Sequence, residues 1–313
     1  MTTQSKLTET EIAKFARRVK IARKDKANYQ PVYDRELADY QHFIDHGILL
    51  SDVGKAPCEL AWWEFVALTI PERYWLSAAN THFAQTGQLD YSHLMRALAY
   101  GYIETANMHY GLHHFLARFG FERTGAFGAS ALFRLCIAEL AGLTREAQQL
   151  FHAFVCAYQR DGIIRSKGHI GDLVLLIYAR YLGRADVTAR VDNFAYPELV
   201  MYWDTEDLDK LSQLLMSLCD VQVQQTLAPP SKFFTEFDNR EYCYWPLTAL
   251  MVLKLRQNRG LANPELTHPA FGHLNALLAP APQVLVYDDL LQRILGQMQQ
   301  QGFDIDAAYA LNR

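Results

Sequence analysis

The sequence predicts an all-α protein, a multi-helix bundle or irregular array of helical pairs with no significant sheet. Three observations predict it. Apolar residues recur at helical spacing along most of the chain, glycines stand just past several of these stripes, and strand-like alternation is hard to find. With 313 residues, of which 50% are hydrophobic and 20% charged, the chain holds enough apolar material for a large core, and a disordered chain is excluded.

In chain order, Thr8 or Thr10 is placed to cap a first helix with the stripe Ile12, Phe15, Val19 and Ile21. Leu37, Tyr40, Phe43 and Ile44 mark a second helix, ended near Gly47. Pro71 suits the start of a third, over 72–85, stopped by Gly87. Asp90 opens a long pattern through Leu94, Leu98, Tyr102, Met108, Leu112 and Leu116 to Gly120, with Gly101 and Gly111 inside it as points of close packing or a kink. Further helices are expected over 126–141, 144–160, 171–182, 206–227, 245–259, 271–278 and 288–301, with a short tail helix from Asp304. Val284 to Tyr287 is too short and isolated to define a sheet. A soft division places an N-terminal helical region at 1–195 and a C-terminal one at 196–313, one continuous domain being the alternative. Helical-repeat scaffolds are disfavoured because Gly87, Gly142 and Gly183 keep no fixed period.

Motifs that would announce chemistry are missing. Ser130 does not sit in a nucleophile elbow, Gly54-Lys55 lacks the rest of a phosphate loop, and the five cysteines form no CxxC pair. Cys136, Cys156 and Cys219 read as small buried hydrophobes. His42 and His46, and again His109 and His113, have the i, i+4 spacing by which one helix face offers two metal ligands. Neither pair has the glutamate of HExxH, so histidines packed between or on helices are preferred and no metal or cofactor is assigned. A metal-dependent helical enzyme built on the region of Glu104, His109, His113 and His114 remains the alternative. The N-terminus lacks the apolar core of a secretory signal and no window suits a membrane span, so a cytoplasmic location is expected.

Charge is unevenly placed. Residues 1–30 carry eight basic against three acidic residues, and the whole chain is −4, which argues against a protein that coats nucleic acid. From 204 to 241 the balance reverses, with Asp204, Glu206, Asp207, Asp209, Asp220, Glu236, Asp238 and Glu241 against Lys210, Lys232 and Arg240. Acids at the start of a helix favour its dipole. Glu236, Asp238 and Glu241 stand instead among Phe233, Phe234, Phe237, Tyr242, Tyr244 and Trp245. Acids around aromatic anchors suit a protein-binding surface, and a loop whose aromatics tuck into the core fits equally well.

The same stretch carries a resemblance. Phe237-Asp238-Asn239-Arg240-Glu241 and Tyr244-Trp245-Pro246-Leu247 lead into a helix ending Arg256-Gln257-Asn258-Arg259-Gly260-Leu261, followed by Asn263-Pro264 and His268-Pro269. Over about 35 residues this resembles the C-terminal part of helical immunity proteins of bacterial polymorphic-toxin and type VI secretion systems. The resemblance implies a non-enzymatic inhibitor that binds a cognate toxin, here a basic, cytoplasm-acting one. The expected contacts are Asp204, Glu206, Asp207, Asp209, Glu236, Asp238 and Glu241, with the 245–259 helix as scaffold.

Overall fold

The computed structural model describes residues 4–54, 62–119, 127–164, 167–229, 235–238 and 240–311. It is all-α, with twelve α-helices among the described residues and two pairs of two-residue strands. Helix α1 (Glu9–Ala22) begins at a capping box: the Thr8 hydroxyl accepts from Glu11 N at 3.2 Å, and the Glu11 carboxylate accepts from Thr8 N at 2.8 Å. Helix α2 (Asp25–His46) starts twelve residues before the expected stripe and carries Pro31 inside it. Its first half is mostly polar surface, so no stripe announced it. Tertiary contacts hold it in place of pattern: Tyr33 stacks on Tyr74 at 4.2 Å, Tyr74 Oη donates to Gln30, and Tyr40 Oη donates to the Ala67 carbonyl at 2.7 Å.

Helices α3 (Thr69–Thr86) and α4 (Tyr91–Phe119) fold back on each other across Gly87, which takes the left-handed conformation at φ +73°. Asp90 caps α4 by accepting from Ser92 N and His93 N. Helix α5 (Phe133–Leu140) is shorter than expected, because β1 (Phe127–Gly128) pairs in parallel with β2 (Ile163–Ile164) and a 3₁₀ turn fills 129–132; Ala126 lies outside the described residues. Then follow α6 (Thr144–Gln159), α7 (Ile170–Tyr181), α8 (Pro197–Tyr202), α9 (Leu208–Leu227), α10 (Leu247–Asn258), α11 (Asp289–Gln300) and α12 (Ile305–Ala310). Asp207, Asp288 and Asp304 each accept a backbone N–H as N-caps of α9, α11 and α12.

The helix expected over 271–278 is corrected. That stretch holds β4 (Gly272–His273), antiparallel to β3 (Thr267–His268), and a 3₁₀ turn at Asn275–Leu277. Its apolar residues Phe271, Leu274 and Leu277 are buried all the same. Three-residue spacing suits one side of a 3₁₀ turn as well as one side of an α-helix, so the pattern alone did not separate them. One hydrophobic cluster runs from Leu7 to Tyr309 and crosses the 195/196 division, α10 packing on α5 and α1 on α9.

At its centre sits a buried ion pair. Arg134 of α5 donates from Nε to Glu72 Oε1 at 2.8 Å and from Nη2 to Glu72 Oε2, and from Nη1 to Thr105 Oγ1 at 2.9 Å. Tyr242 Oη donates to Glu72 Oε1 at 3.2 Å. Gly101 makes the space: a Cβ there would stand 2.6 Å from Glu72 Oε1 and 2.7 Å from Arg134 Nε. Glycine thus serves close packing, and α4 runs through it without a break.

A second tie closes the N-terminal segment onto α9. Asp220 accepts from Ser5 Oγ at 2.5 Å and Lys6 N at 2.7 Å, and lies 2.9 Å from His268 Nε2. His268 Nδ1 accepts from Ala270 N at 3.1 Å, so the neutral Nε2–H tautomer satisfies both ring nitrogens. Burial pushes the His268 pKa down from 6.5, outweighing the hydrogen bond and charge of Asp220.

Glu72→Gln is expected to lower the free energy of unfolding by about 3–5 kcal/mol, because it strands a buried guanidinium; urea denaturation of the full chain checks it. His268 gives a pH signature. The unfolded imidazole takes up a proton as pH falls below 6.5 while the folded one resists, so this contribution is intact at neutral pH and is lost in acid. Urea midpoints at pH 7.5 and 5.5 should therefore differ less for His268→Gln than for the wild type, the difference in slope reaching at most about 1.4 kcal/mol per pH unit.

Candidate functional site

The seven acids expected to face a partner divide in two. Asp204, Glu206, Asp207 and Asp209 lie at the corner between α8 and α9, where Glu206, Asp207 and Asp209 are exposed. Asp207 is committed to the α9 cap, and Asp204 pairs with Arg259 at 3.3 Å. Arg259 in turn lies over the rings of Trp203 at 4.8 Å and Tyr181 at 5.5 Å. Arg256 is buried beneath and donates to the carbonyls of Trp203 and Ala262. The arginines of the 256–261 motif therefore brace this corner, Arg256 from inside and Arg259 from the surface.

The corner was not announced as an apolar surface. Helix α8 was missed because six residues are too few to show a period, although Pro197 stands at its start. It leaves Met201 65% and Tyr202 39% exposed, beside Glu198, whose carboxylate meets Lys210 at 2.7 Å. Exposed apolar side chains and acids now share one short stretch, 198–209, with Lys210 Nζ over the Tyr202 ring at 5.5 Å.

The acids near the resemblance behave differently. Glu236 is corrected from a surface contact to an internal one: it is 2% exposed, and its Oε1 accepts from Gly171 N at 2.7 Å in the first turn of α7. A Cβ at Gly168 would stand 2.4 Å from its Oε2, so the glycine is what lets the carboxylate approach. Glu241 is 12% exposed at its side chain and lies 3.7 Å from Arg73. The Asp238 side chain, Phe233 and Phe234 lie outside the described residues. Phe237, Tyr242, Tyr244 and Trp245 are all buried, with Phe237 stacked on Phe133 at 5.3 Å. Of the two readings the sequence left open, these aromatics follow the core one.

The alternative region, on α4, is split between three tasks. Glu104 is buried and accepts from Leu68 N at 2.6 Å and Thr69 Oγ1 at 3.3 Å, so it holds the start of α3. His114 lies 3.3 Å from Glu64. His109 and His113 instead turn toward α6, where Cys156 joins them, one ligand atom from each lying within 4.8 Å of the others. His152 completes the group, its ring centroid 5.6 Å from that of His109 and its Nε2 3.8 Å from Cys156 Sγ. The His42 and His46 rings lie 4.5 Å apart and tilted by 53°, with His42 Nδ1 on the Ile48 carbonyl at 2.8 Å.

Burial, then the neighbouring His113 and His152, push the His109 pKa down to about 3, the Leu311 carbonyl pulling the other way. Burial and the Arg160 guanidinium push His113 down to about 4. Burial raises the Cys156 thiol. His152 Nε2 donates to the Leu311 carbonyl at 2.9 Å, so it carries its proton there and does not serve as a base toward Cys156. A cysteine nucleophile is disfavoured by both observations. Cys156 and His152 were missed in the sequence, although their own i, i+4 spacing on a helix was there to read.

No family model, curated protein or solved structure matches the chain. No described helix is long and apolar enough to cross a membrane.

Glu236→Ala should cost about 1–2 kcal/mol of stability by uncapping α7. Glu206→Lys, on exposed surface, should leave stability within about 0.5 kcal/mol. Thermal and urea unfolding of the two variants side by side separate an internal acid from a surface one.

Proposed function

We propose that this chain is a non-enzymatic binding protein that docks a basic protein partner on the α8–α9 corner. Following the resemblance of its C-terminal segment, the partner is a toxin that the chain neutralises, as an immunity protein does. The observation that carries the docking site is Met201 and Tyr202, exposed between Glu198 and the acids Glu206, Asp207 and Asp209. Methionine and aromatic side chains are favoured at the centre of interfaces, with polar residues at the rim. A negative rim speeds the approach of a basic partner and selects against acidic ones. The helices beneath are firmly held, with Trp203 buried and Arg256 tied to two carbonyls, so the surface is presented with little ordering to be lost on binding.

The first test is co-expression with the product of the neighbouring gene. A neighbour that arrests growth alone, and is relieved by this chain, supports the reading. The double variant Met201→Lys/Glu206→Lys should then weaken the purified complex at least about tenfold, roughly 1.4 kcal/mol, at an unchanged urea midpoint. Equal affinity in the variant removes the corner as the interface, and a neighbour that neither binds nor harms removes the immunity reading.

A further inference from the structure

We propose that His109 and His113 of α4 and Cys156 of α6 form a binding site for one divalent transition-metal ion of the zinc type, with His152 beside an open fourth position. The proposal does not depend on partner binding at the α8–α9 corner.

Geometry comes first. Two imidazoles and a thiol from two packed helices bring one nitrogen or sulfur each within 4.8 Å of one another. Around a zinc ion, with Zn–S of about 2.3 Å and Zn–N of about 2.0–2.1 Å, such atoms stand roughly 3.3–3.6 Å apart. A closure of about 1 Å, within reach of side-chain rotation, completes the set. Each helix uses the i, i+4 spacing that sets side chains on one face: His109 with His113 on α4, and Cys156 with the neighbouring His152 on α6.

The second observation is independent of that grouping. His109 is 0% exposed, and neither ring nitrogen makes a hydrogen bond of full geometry; the ring leans toward the Leu311 carbonyl, which already accepts from His152 Nε2 at 2.9 Å. A carbonyl can engage only the ring N–H, so the lone pair of the other buried nitrogen is left without a donor, which calls for an explanation. An ion supplies one, since it would take a lone pair that the protein itself leaves unused. Binding removes one proton, from the Cys156 thiol, which leaves to solvent as the thiolate–metal bond forms.

The donor set decides the class of ion. Two imidazoles and one thiolate suit a borderline-soft ion such as zinc and disfavour calcium or magnesium, which prefer oxygen. His152 also lines an open cleft of about 520 Å³ with Gln148, Gln149 and Asp306, which brings solvent to the residue beside the cluster. Arg160, at the C-terminal end of α6, donates from Nη1 to His113 Nδ1 at 3.0 Å. A guanidinium there competes with a metal cation for the same imidazole, so it sets the affinity from within the site.

The test uses the full chain, stripped with a chelator, desalted, and titrated with Zn(II) against a coloured competitor chelator. One ion per chain is expected. Co(II) in place of zinc should show the near-ultraviolet absorption of a thiolate–cobalt bond. Cys156→Ser should abolish that absorption and weaken zinc binding at least about tenfold, and Arg160→Gln should tighten it. The variant His42→Gln/His46→Gln should retain both the stoichiometry and the absorption. Since removing His109 risks the fold, Cys156→Ser is the deciding variant. Less than about a tenth of an equivalent retained by the wild type overturns the site, as does zinc binding that Cys156→Ser leaves unchanged. Unchanged affinity in Arg160→Gln overturns the role given to Arg160.

Discussion

The Glu72–Arg134 ion pair is the constraint around which the helices are arranged. It joins α3 to α5, takes in Thr105 of α4, and is completed by Tyr242 from the far end of the chain. A buried ion pair is stabilising only where its remaining donors and acceptors find partners. Here both carboxylate oxygens and three guanidinium nitrogens do. Nearby Glu104 adds a second carboxylate whose charge favours the guanidinium. This arrangement fixes the register of three helices at once, because a side chain of any size at Gly101 would displace it. It also accounts for the inward turn of the 242–245 segment: Tyr242 reaches Glu72, and Cys243, Tyr244 and Trp245 are buried with it.

Much of the helical framework was legible in the sequence because helix ends carry local chemistry. Thr8, Asp90 and Asp304 cap where their hydrogen-bonding chemistry puts them, and Gly47, Gly87, Gly142 and Gly183 all take the positive φ that ends a helix. The exceptions share a cause. The first half of α2 shows no stripe because it buries little, and it exists through contacts with α3 that no local pattern encodes. The 271–278 stretch has a helical stripe that a hairpin and a 3₁₀ turn bury instead. Within the site, charge was legible and burial was not. Glu236 and Glu206 are the same residue type in acid-rich segments, yet one caps a buried helix and the other faces solvent.

That contrast changes what the C-terminal segment does. Its aromatics and arginines are spent on the fold: Trp245 and Phe237 in the core, Arg256 on backbone carbonyls, Arg259 between Asp204 and two aromatic rings. The outcome is a rigid α8–α9 corner, and the exposed side chains that a partner would meet belong to α8 and the start of α9. In the reading favoured here, the segment that carries the resemblance supports the surface without itself forming it.

The histidine cluster obeys the same logic in reverse. Glu104 and His114, one near and one beside the pair, are occupied by Leu68, Thr69 and Glu64, which leaves His109 and His113 as the imidazoles turned toward α6. Sequence spacing shows which residues of one helix share a face, but not what a second helix brings to that face. Cys156 reads alone as a small hydrophobe, and only the packing of α4 on α6 sets it beside two neutral imidazoles. The cluster and the acidic corner rest on different helices and on different physics, lone pairs in a buried pocket against apolar and charged surface. Each would therefore survive the loss of the other, and a protein that binds a partner at the corner has no need of an ion to do so.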